Sequence, residues 1–216
     1  MIYKAKHNPY RIVEMFEEEV ANYTGAPYAV AVDNCTDAIL LCNLLINTRH
    51  KESIKIPSKT YLSVPQSIMQ AGGTVIFDEN LNDWKGCYEL GDTNIYDAAK
   101  RFTSDMYISG SFMCLSFHIK KHLPIGKGGM ILTHKKYFYE ALKELRYEGR
   151  GPVLYHNDDI QFMGYNMYMT PEQAARGLML MQNIPLHNED LPEEQGYKHL
   201  YEYTAFKHCK VIKRND

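Results

Sequence analysis

The strongest constraint on this chain is an alternation. Short runs of β-type apolar residues take turns with longer segments whose apolar side chains recur every three or four positions. Ile12, Val13, Phe16, Val20 and Tyr23 share one helical face, with acidic residues Glu17, Glu18 and Glu19 between them, and Gly25 ends the segment. Residues 28–32 read as a strand, 38–46 as a buried helix and 53–57 as a strand. Residues 65–71 read as a helix punctuated by Gly72-Gly73, and 74–77 as a strand. After a polar loop at 80–91, residues 94–96 form a short strand ending at Asp97. Residues 112–117 read as a buried strand, 130–133 as another, and 137–145 as a helix. A loop at 149–159 precedes a helix that opens on Thr170-Pro171-Glu172, with Thr170 as cap and Pro171 at the first helical position, and runs to about Gln182. Residues 185–194 resemble a linker. The Tyr- and Lys-rich tail at 197–216 has room for a short surface helix. Strands alternating with helices predict an α/β domain with a largely parallel central sheet.

Composition narrows the function classes. Lys+Arg number 24 against Asp+Glu 26, a balance unlike the basic stripe of a nucleic-acid binder. No apolar run approaches the ~18 residues of a membrane span. The first ten residues are polar and lack a secretory core. Five cysteines with no CxxC pair fit reduced thiols and a cytoplasmic location. A chain of 216 residues can bury a core without disulfides or metal, and no metal site is expected.

Four segments carry chemistry. At Val30-Ala31-Val32-Asp33-Asn34-Cys35-Thr36, a strand turns into a helix whose first N–H groups suit a phosphate, although Asn34 or Thr36 serves equally as an ordinary cap. At Asn94-Ile95-Tyr96-Asp97-Ala98-Ala99, a carboxylate stands at a strand end, where α/β sheets bind ligands; a helix cap fits as well. Between Ser116 and Gly129, residues His118, Lys120, Lys121, His122 and Lys127 crowd one loop. Burial and cationic neighbours lower a lysine pKa and free its amine to attack an aldehyde; a solvated basic loop explains the same residues. The glycines Gly126, Gly128 and Gly129 lack the spacing of a P-loop. Lastly, Gly164-Tyr165-Asn166 leads into the capped helix that contains Gln173-Ala174-Ala175.

Taken in order, these segments resemble the sugar aminotransferases of the DegT/DnrJ/StrS family, pyridoxal phosphate (PLP) enzymes of fold type I. The family's F-E-x-x-x-A-x-Y-x-G stands here as Phe16-Glu17, Ala21, Tyr23 and Gly25, and its Y-A-V-A-V as residues 28–32. Pro57, Thr60 and Tyr61 match P-x-x-T-[YFW], and Asp97-Ala98-Ala99 matches E-D-A-A. Ser116-Phe117-His118, Lys121 and Gly128-Gly129 match S-F-H-P-x-K and G-E-G-G. Gly164-Tyr165-Asn166 and Gln173-Ala174-Ala175-Arg176-Gly177-Leu178 match the last pattern.

The resemblance implies a fold type I large domain of three layers, with a mostly parallel sheet flanked by helices and reduced in size. Residues 1–184 would form it, and residues 185–216 would be a tail in place of the usual small domain. It implies PLP as cofactor and Lys121 and Asp97 as catalytic residues. By the same resemblance, Lys121 would form an aldimine with PLP, and Asp97 would face the ring nitrogen. Tyr61 would stack on the ring, and Lys100 would stand near the ring hydroxyl. Cys35, Thr36 and Ser116 would hold the phosphate, and Asn166 would reach the phosphate of the partner subunit in a homodimer with shared sites. The implied reaction moves an amino group from glutamate to a nucleotide-linked keto-sugar. Other PLP chemistry on a non-sugar substrate, or a non-catalytic relative that binds PLP or a nucleotide sugar, are the alternatives. The sequence departs from the family in lacking a strand-helix crossover between Phe77 and Asn94. It also carries Cys35, Lys100, Lys127 and Tyr168 where the family has Gly, Gln, Glu and Arg.

Overall fold

The computed structural model describes residues 8, 10–50, 53–151, 155–192 and 197–214. Most of the polar N-terminal stretch lies outside the described residues. Among the described residues there are five α-helices: α1 (Arg11–Thr24), α2 (Cys35–Leu45), α3 (Ser63–Gln70), α4 (Lys136–Leu145) and α5 (Pro171–Met181). The strands are β1 (Tyr28–Val32), β2 (Ile54–Pro57), β3 (Val75–Asp78), β4 (Tyr88–Glu89), β5 (Ile95–Asp97), β6 (Phe112–Ser116), β7 (Gly129–Thr133) and β8 (Lys210–Ile212). Gly25 closes α1 in the left-handed region at φ 74°, which a residue without Cβ adopts freely. Thr170 and Gln173 form a reciprocal capping box at the start of α5.

One sheet has the order β1-β7-β6-β5-β4 and a second the order β2-β3-β8. The expected α/β architecture is present, in a mixed form. β5–β6, β2–β3 and β3–β8 pair parallel, while β1–β7, β6–β7 and β4–β5 pair antiparallel. Residues 117–128, between β6 and β7, contain no helix, and without a crossover helix the chain returns antiparallel. Because β1 and β6 both oppose β7, the strands β1, β5 and β6 point the same way. Their carboxyl ends therefore share one edge.

The period-2 alternation of the strands divides the core. Val30, Val32 and Cys114 face α2 together with Ile56 and Phe77. Ala31, Met113 and Leu115 face α1 and α5 together with Phe16, Val20 and Ala174. This gives three layers, helix on sheet on helix. A Cβ at Gly177 would overlap the Phe16 ring, so α5 needs this glycine to lie close on α1. The Phe16 and Gly177 motif positions are thus packing elements.

Two segments differ from expectation. The loop at 80–91 contains β4, because Tyr88 and Glu89 find partners in Asp97 and Tyr96. The tail forms single turns at Leu200–Glu202 and Thr204–Phe206, then β8, which adds a strand beside β3. Leu200 and Phe206 are buried, and the Phe206 ring meets Phe77 at 5.9 Å. Glu79 ties the tail down. Its carboxylate accepts from the Tyr201 hydroxyl (2.7 Å), Lys213 Nζ (2.9 Å) and the Arg214 N–H (3.2 Å).

These bonds, Tyr201 first and then Lys213 and Arg214, pull the Glu79 carboxyl from 4.5 down to about 2. A depressed carboxylate pKa contributes stability above the unfolded value and loses it as pH falls through the folded value. The tail is therefore expected to loosen between pH 4.5 and about 2. Hydrogen exchange should rise in β8 before it rises in β6. Simultaneous loss of protection in both strands would refute this.

Among the described residues, no helix is long and apolar enough to cross a membrane, and no cluster of His, Cys, Asp or Glu could hold a metal ion.

Candidate active site at the carboxyl edge of the sheet

The shared strand edge collects most of the expected site residues. β1 runs out at Val32 and the chain turns through Asn34, whose side chain accepts the Asp37 N–H at 2.9 Å and caps α2. Cys35 and Thr36 open the helix, so their N–H groups lie outside its internal ladder. Gly129, the first residue of β7, pairs with both Val32 and Ser116. A Cβ there would overlap the Asn34 carbonyl and the Cys35 nitrogen. Glycine thus lets the start of α2 settle onto the sheet, leaving a cradle of backbone N–H groups and small side chains. The Thr36 hydroxyl donates to Ser63 Oγ at 2.9 Å, and Ser67 Oγ donates to the Thr36 carbonyl at 3.2 Å, which fixes α3 beside the cradle.

Asp97 ends β5 and is buried at 5 % exposure. Oδ1 accepts the Ala99 N–H at 3.0 Å and Oδ2 accepts the Tyr88 hydroxyl at 3.2 Å. Burial pushes its carboxyl above the ordinary value, while those two donors, then the charges of Lys121 and Lys100, pull it back. Cys35 senses the same neighbours. Burial and then Asp97 drive its thiol well up, and Lys121 draws it down. Cys35, Asp97 and Lys121 therefore lie within electrostatic reach of one another.

The half-buried Lys121 sits in the turn after β6, where its N–H donates to the His118 carbonyl at 2.9 Å. Ser116, at the end of β6, accepts the His118 N–H at 3.4 Å. Lys100 is buried, with Nζ 4.8 Å from the centre of the Trp84 ring and 5.6 Å from that of Tyr197. Tyr61, after β2, is 55 % exposed. Asn166 stands apart from this group. It is exposed, and its amide donates to Glu148 at 3.0 Å.

The tail borders the same edge. Arg101 holds Asp190 through two bonds of 2.8 and 2.6 Å, and the Leu191 N–H donates to the Lys100 carbonyl at 2.9 Å. Further along, the Leu200 N–H donates to the Ser58 carbonyl at 2.8 Å. Between the tail, the loop before β4 and the turn after β5 lies a crevice of ≈ 360 Å³ lined by Trp84, Lys100, Asp190 and Pro192, among others.

Sequence reasoning passed over Tyr88. Thr60 lies in a recognised motif, but its contact with Tyr88 depends on how β4 pairs, and no local pattern reveals that.

Comparisons with known proteins place the chain in a family. The model of the DegT/DnrJ/EryC1/StrS aminotransferase family matches residues 4–89 and 97–195. The chain is 25% identical over 210 residues to GDP-perosamine synthase of Escherichia coli O157:H7, covering 79% of this chain and 57% of that protein. It is also 25% identical over 223 residues to the spore coat polysaccharide biosynthesis protein SpsC of Bacillus subtilis (strain 168), covering 80% and 57%. The chain thus spans a little over half the length of the curated relatives it matches. Among solved structures, a DegT DnrJ EryC1 StrS aminotransferase from Brucella abortus superposes with TM-score 0.73 at 17% identity, covering 93% of this chain and 79% of that one. Helicobacter pylori PseC, an aminotransferase involved in the biosynthesis of pseudoaminic acid, superposes with TM-score 0.66 at 16% identity, covering 81% and 58%. The gap in the family match, residues 90–96, falls where β4 turns into β5. With the family model matching most of the chain on either side of that gap, the chain belongs to the DegT/DnrJ/EryC1/StrS aminotransferase family.

Proposed function

We propose that this chain is a PLP-dependent aminotransferase that takes an amino group from glutamate and passes it to a nucleotide-linked keto-sugar. The observation that carries the reading is the convergence of Asp97, Lys121 and the α2 cradle on one strand edge, in a chain that the family model matches on both sides of β5. The residues present fit PLP, with a glycine-backed cradle for a phosphate, a buried carboxylate for a ring nitrogen, and the Lys121 amine within electrostatic reach of Asp97 and Cys35. When bound, PLP supplies an electron sink for the charge left as a C–H bond beside nitrogen breaks.

The chain's own groups do the rest. Cys35, Thr36 and Ser116 hold the phosphate at the start of α2. Asp97, ionised, favours a protonated ring nitrogen. Tyr61 offers its exposed face for stacking, and Lys100 places a cation near the ring hydroxyl. The Lys121 amine attaches the cofactor and moves a proton on and off the reacting carbon as general base and acid. The name GDP-perosamine synthase, borne by a relative, supports a nucleotide-linked sugar as acceptor.

Residues 1–184 act as the cofactor-binding domain, and residues 185–216 act as a tail bordering the open side of the site. Asn166, on an exposed surface beside the exposed Met163, serves the partner subunit of a homodimer.

The test is to add PLP and then glutamate to the purified chain. A visible band is expected on PLP addition, bleaching with glutamate, in a species of twice 25.0 kDa by light scattering. Absence of any band sinks the cofactor assignment. A band unmoved by glutamate sinks the donor, and a monomer that binds PLP tightly sinks the shared site.

A further inference from the structure

We propose that Tyr88 is the positioning residue of Asp97, and that its buried hydroxyl, steered by Thr60, keeps the carboxylate ionised and aimed along the site edge. The proposal deepens the reading of Asp97 given above and rests on it for its catalytic meaning. β4 is only two residues long, and its antiparallel register sets Tyr88 directly across from Asp97. The Tyr88 hydroxyl lies 3.2 Å from Asp97 Oδ2 and 2.5 Å from Thr60 Oγ1. Tyr88, Thr60 and Asp97 are 8, 1 and 5 % exposed, so bulk water does not substitute for these bonds.

Counting protons gives the chain a direction. An ionised carboxylate only accepts, and a phenol has one O–H to give. If Tyr88 spends it on Asp97, the Thr60 hydroxyl must donate to the phenol oxygen. The order is therefore Thr60 to Tyr88 to Asp97. Burial, and then the negative charge of Asp97, drives the Tyr88 phenol well above its ordinary pKa, so it keeps its proton. A buried carboxylate without donors tends to take up a proton and become neutral. Here the Ala99 N–H holds one oxygen and Tyr88 the other, opposing that tendency. Each oxygen has two lone pairs, so a donor arriving from a ring nitrogen still finds a place. The same two contacts fix the rotation of the carboxylate, since Ala99 grips from the turn and Tyr88 from the neighbouring strand. Trp84 packs on the Tyr88 ring at 4.7 Å between centroids, which limits tilting of the phenol.

The test reads Asp97 itself, by carbon-13 NMR titration of its carboxyl in the full chain without added PLP. Tyr88→Phe removes one oxygen and leaves the ring to pack. It is expected to raise the proton affinity of Asp97 about tenfold, one pKa unit or about 1.4 kcal/mol. Thr60→Val keeps the shape and removes the donor behind Tyr88. It is expected to shift Asp97 in the same direction by less, and it provides a reading if Tyr88→Phe folds poorly. An Asp97 midpoint unchanged in the folded variants overturns the proposal, because a purely structural Tyr88 would leave it there. The titration needs no cofactor, so the two readings fail separately. A wild-type chain that shows no PLP band sinks the proposed function, whereas a normal PLP band with an unmoved Asp97 midpoint sinks only the role of Tyr88.

Discussion

Lys121→Ala is expected to abolish covalent attachment of PLP and to cut the proposed amino transfer from glutamate by about 10²–10⁴-fold or more, the usual worth of a positioned proton carrier. Two losses combine. The amine that would bond the cofactor and carry the proton is gone. So is a positive charge that acts on both Asp97 and Cys35. Without it, burial pushes the Asp97 carboxyl further up, which weakens its hold on a protonated ring nitrogen. The measurement pairs the amino-transfer rate with mass spectrometry after borohydride treatment. Borohydride should fix PLP to wild type and not to the variant. Lys120→Ala, an exposed neighbour in the same turn, is the control and should behave like wild type. A Lys121→Ala protein with wild-type rate, or with PLP still fixed, would remove Lys121 from the mechanism.

Glu17→Ala is expected to cost about 3–5 kcal/mol of folding stability, the penalty for stripping one partner from a buried ion pair. Glu17 and Arg146 are 3 and 7 % exposed. Glu17 Oε1 accepts from Arg146 at 2.5 Å and from the Ala31 N–H at 2.9 Å, and Arg146 also donates to the Ala31 carbonyl. This clamp joins α1, β1 and the end of α4 at one point. Removing the carboxylate leaves a buried guanidinium and an N–H of β1 without their acceptor. Urea unfolding gives the number. Replacing both residues by apolar ones of similar volume, Glu17→Leu with Arg146→Met, should cost far less than either single change, because no charge is then left behind. A double variant as unstable as the sum of the singles would show that the pair does not act as a unit. The Phe16-Glu17 motif thus contributes architecture, the ring against Gly177 and the carboxylate against Arg146.

Most elements were legible because their signals are local. The α1 stripe, the Gly25 stop and the Thr170-Pro171 start each depend on a few adjacent residues, and the structure has all three. Strands β1, β6 and β7 were legible as short apolar runs buried on both faces. Strand direction was not, since an apolar run reads the same whichever way its neighbour points. That direction depends on the helix-free connection between β6 and β7.

The site divides the same way. Motif order in the sequence determined the family and which residue types are present: an acid at a strand end, a lysine in a turn, small residues at a helix start. Their meeting is a tertiary result. Asp97 and Lys121 are separated by the whole of β6, and Cys35 opens α2, after the first strand. Only the common direction of β1, β5 and β6 sets all three on one edge. Tyr88 shows the limit most clearly. A lone tyrosine in a polar loop carries no signal in sequence. It becomes the partner of Asp97 because a two-residue strand pairs in one register, and pairing across strands depends on residues that local sequence cannot bring together.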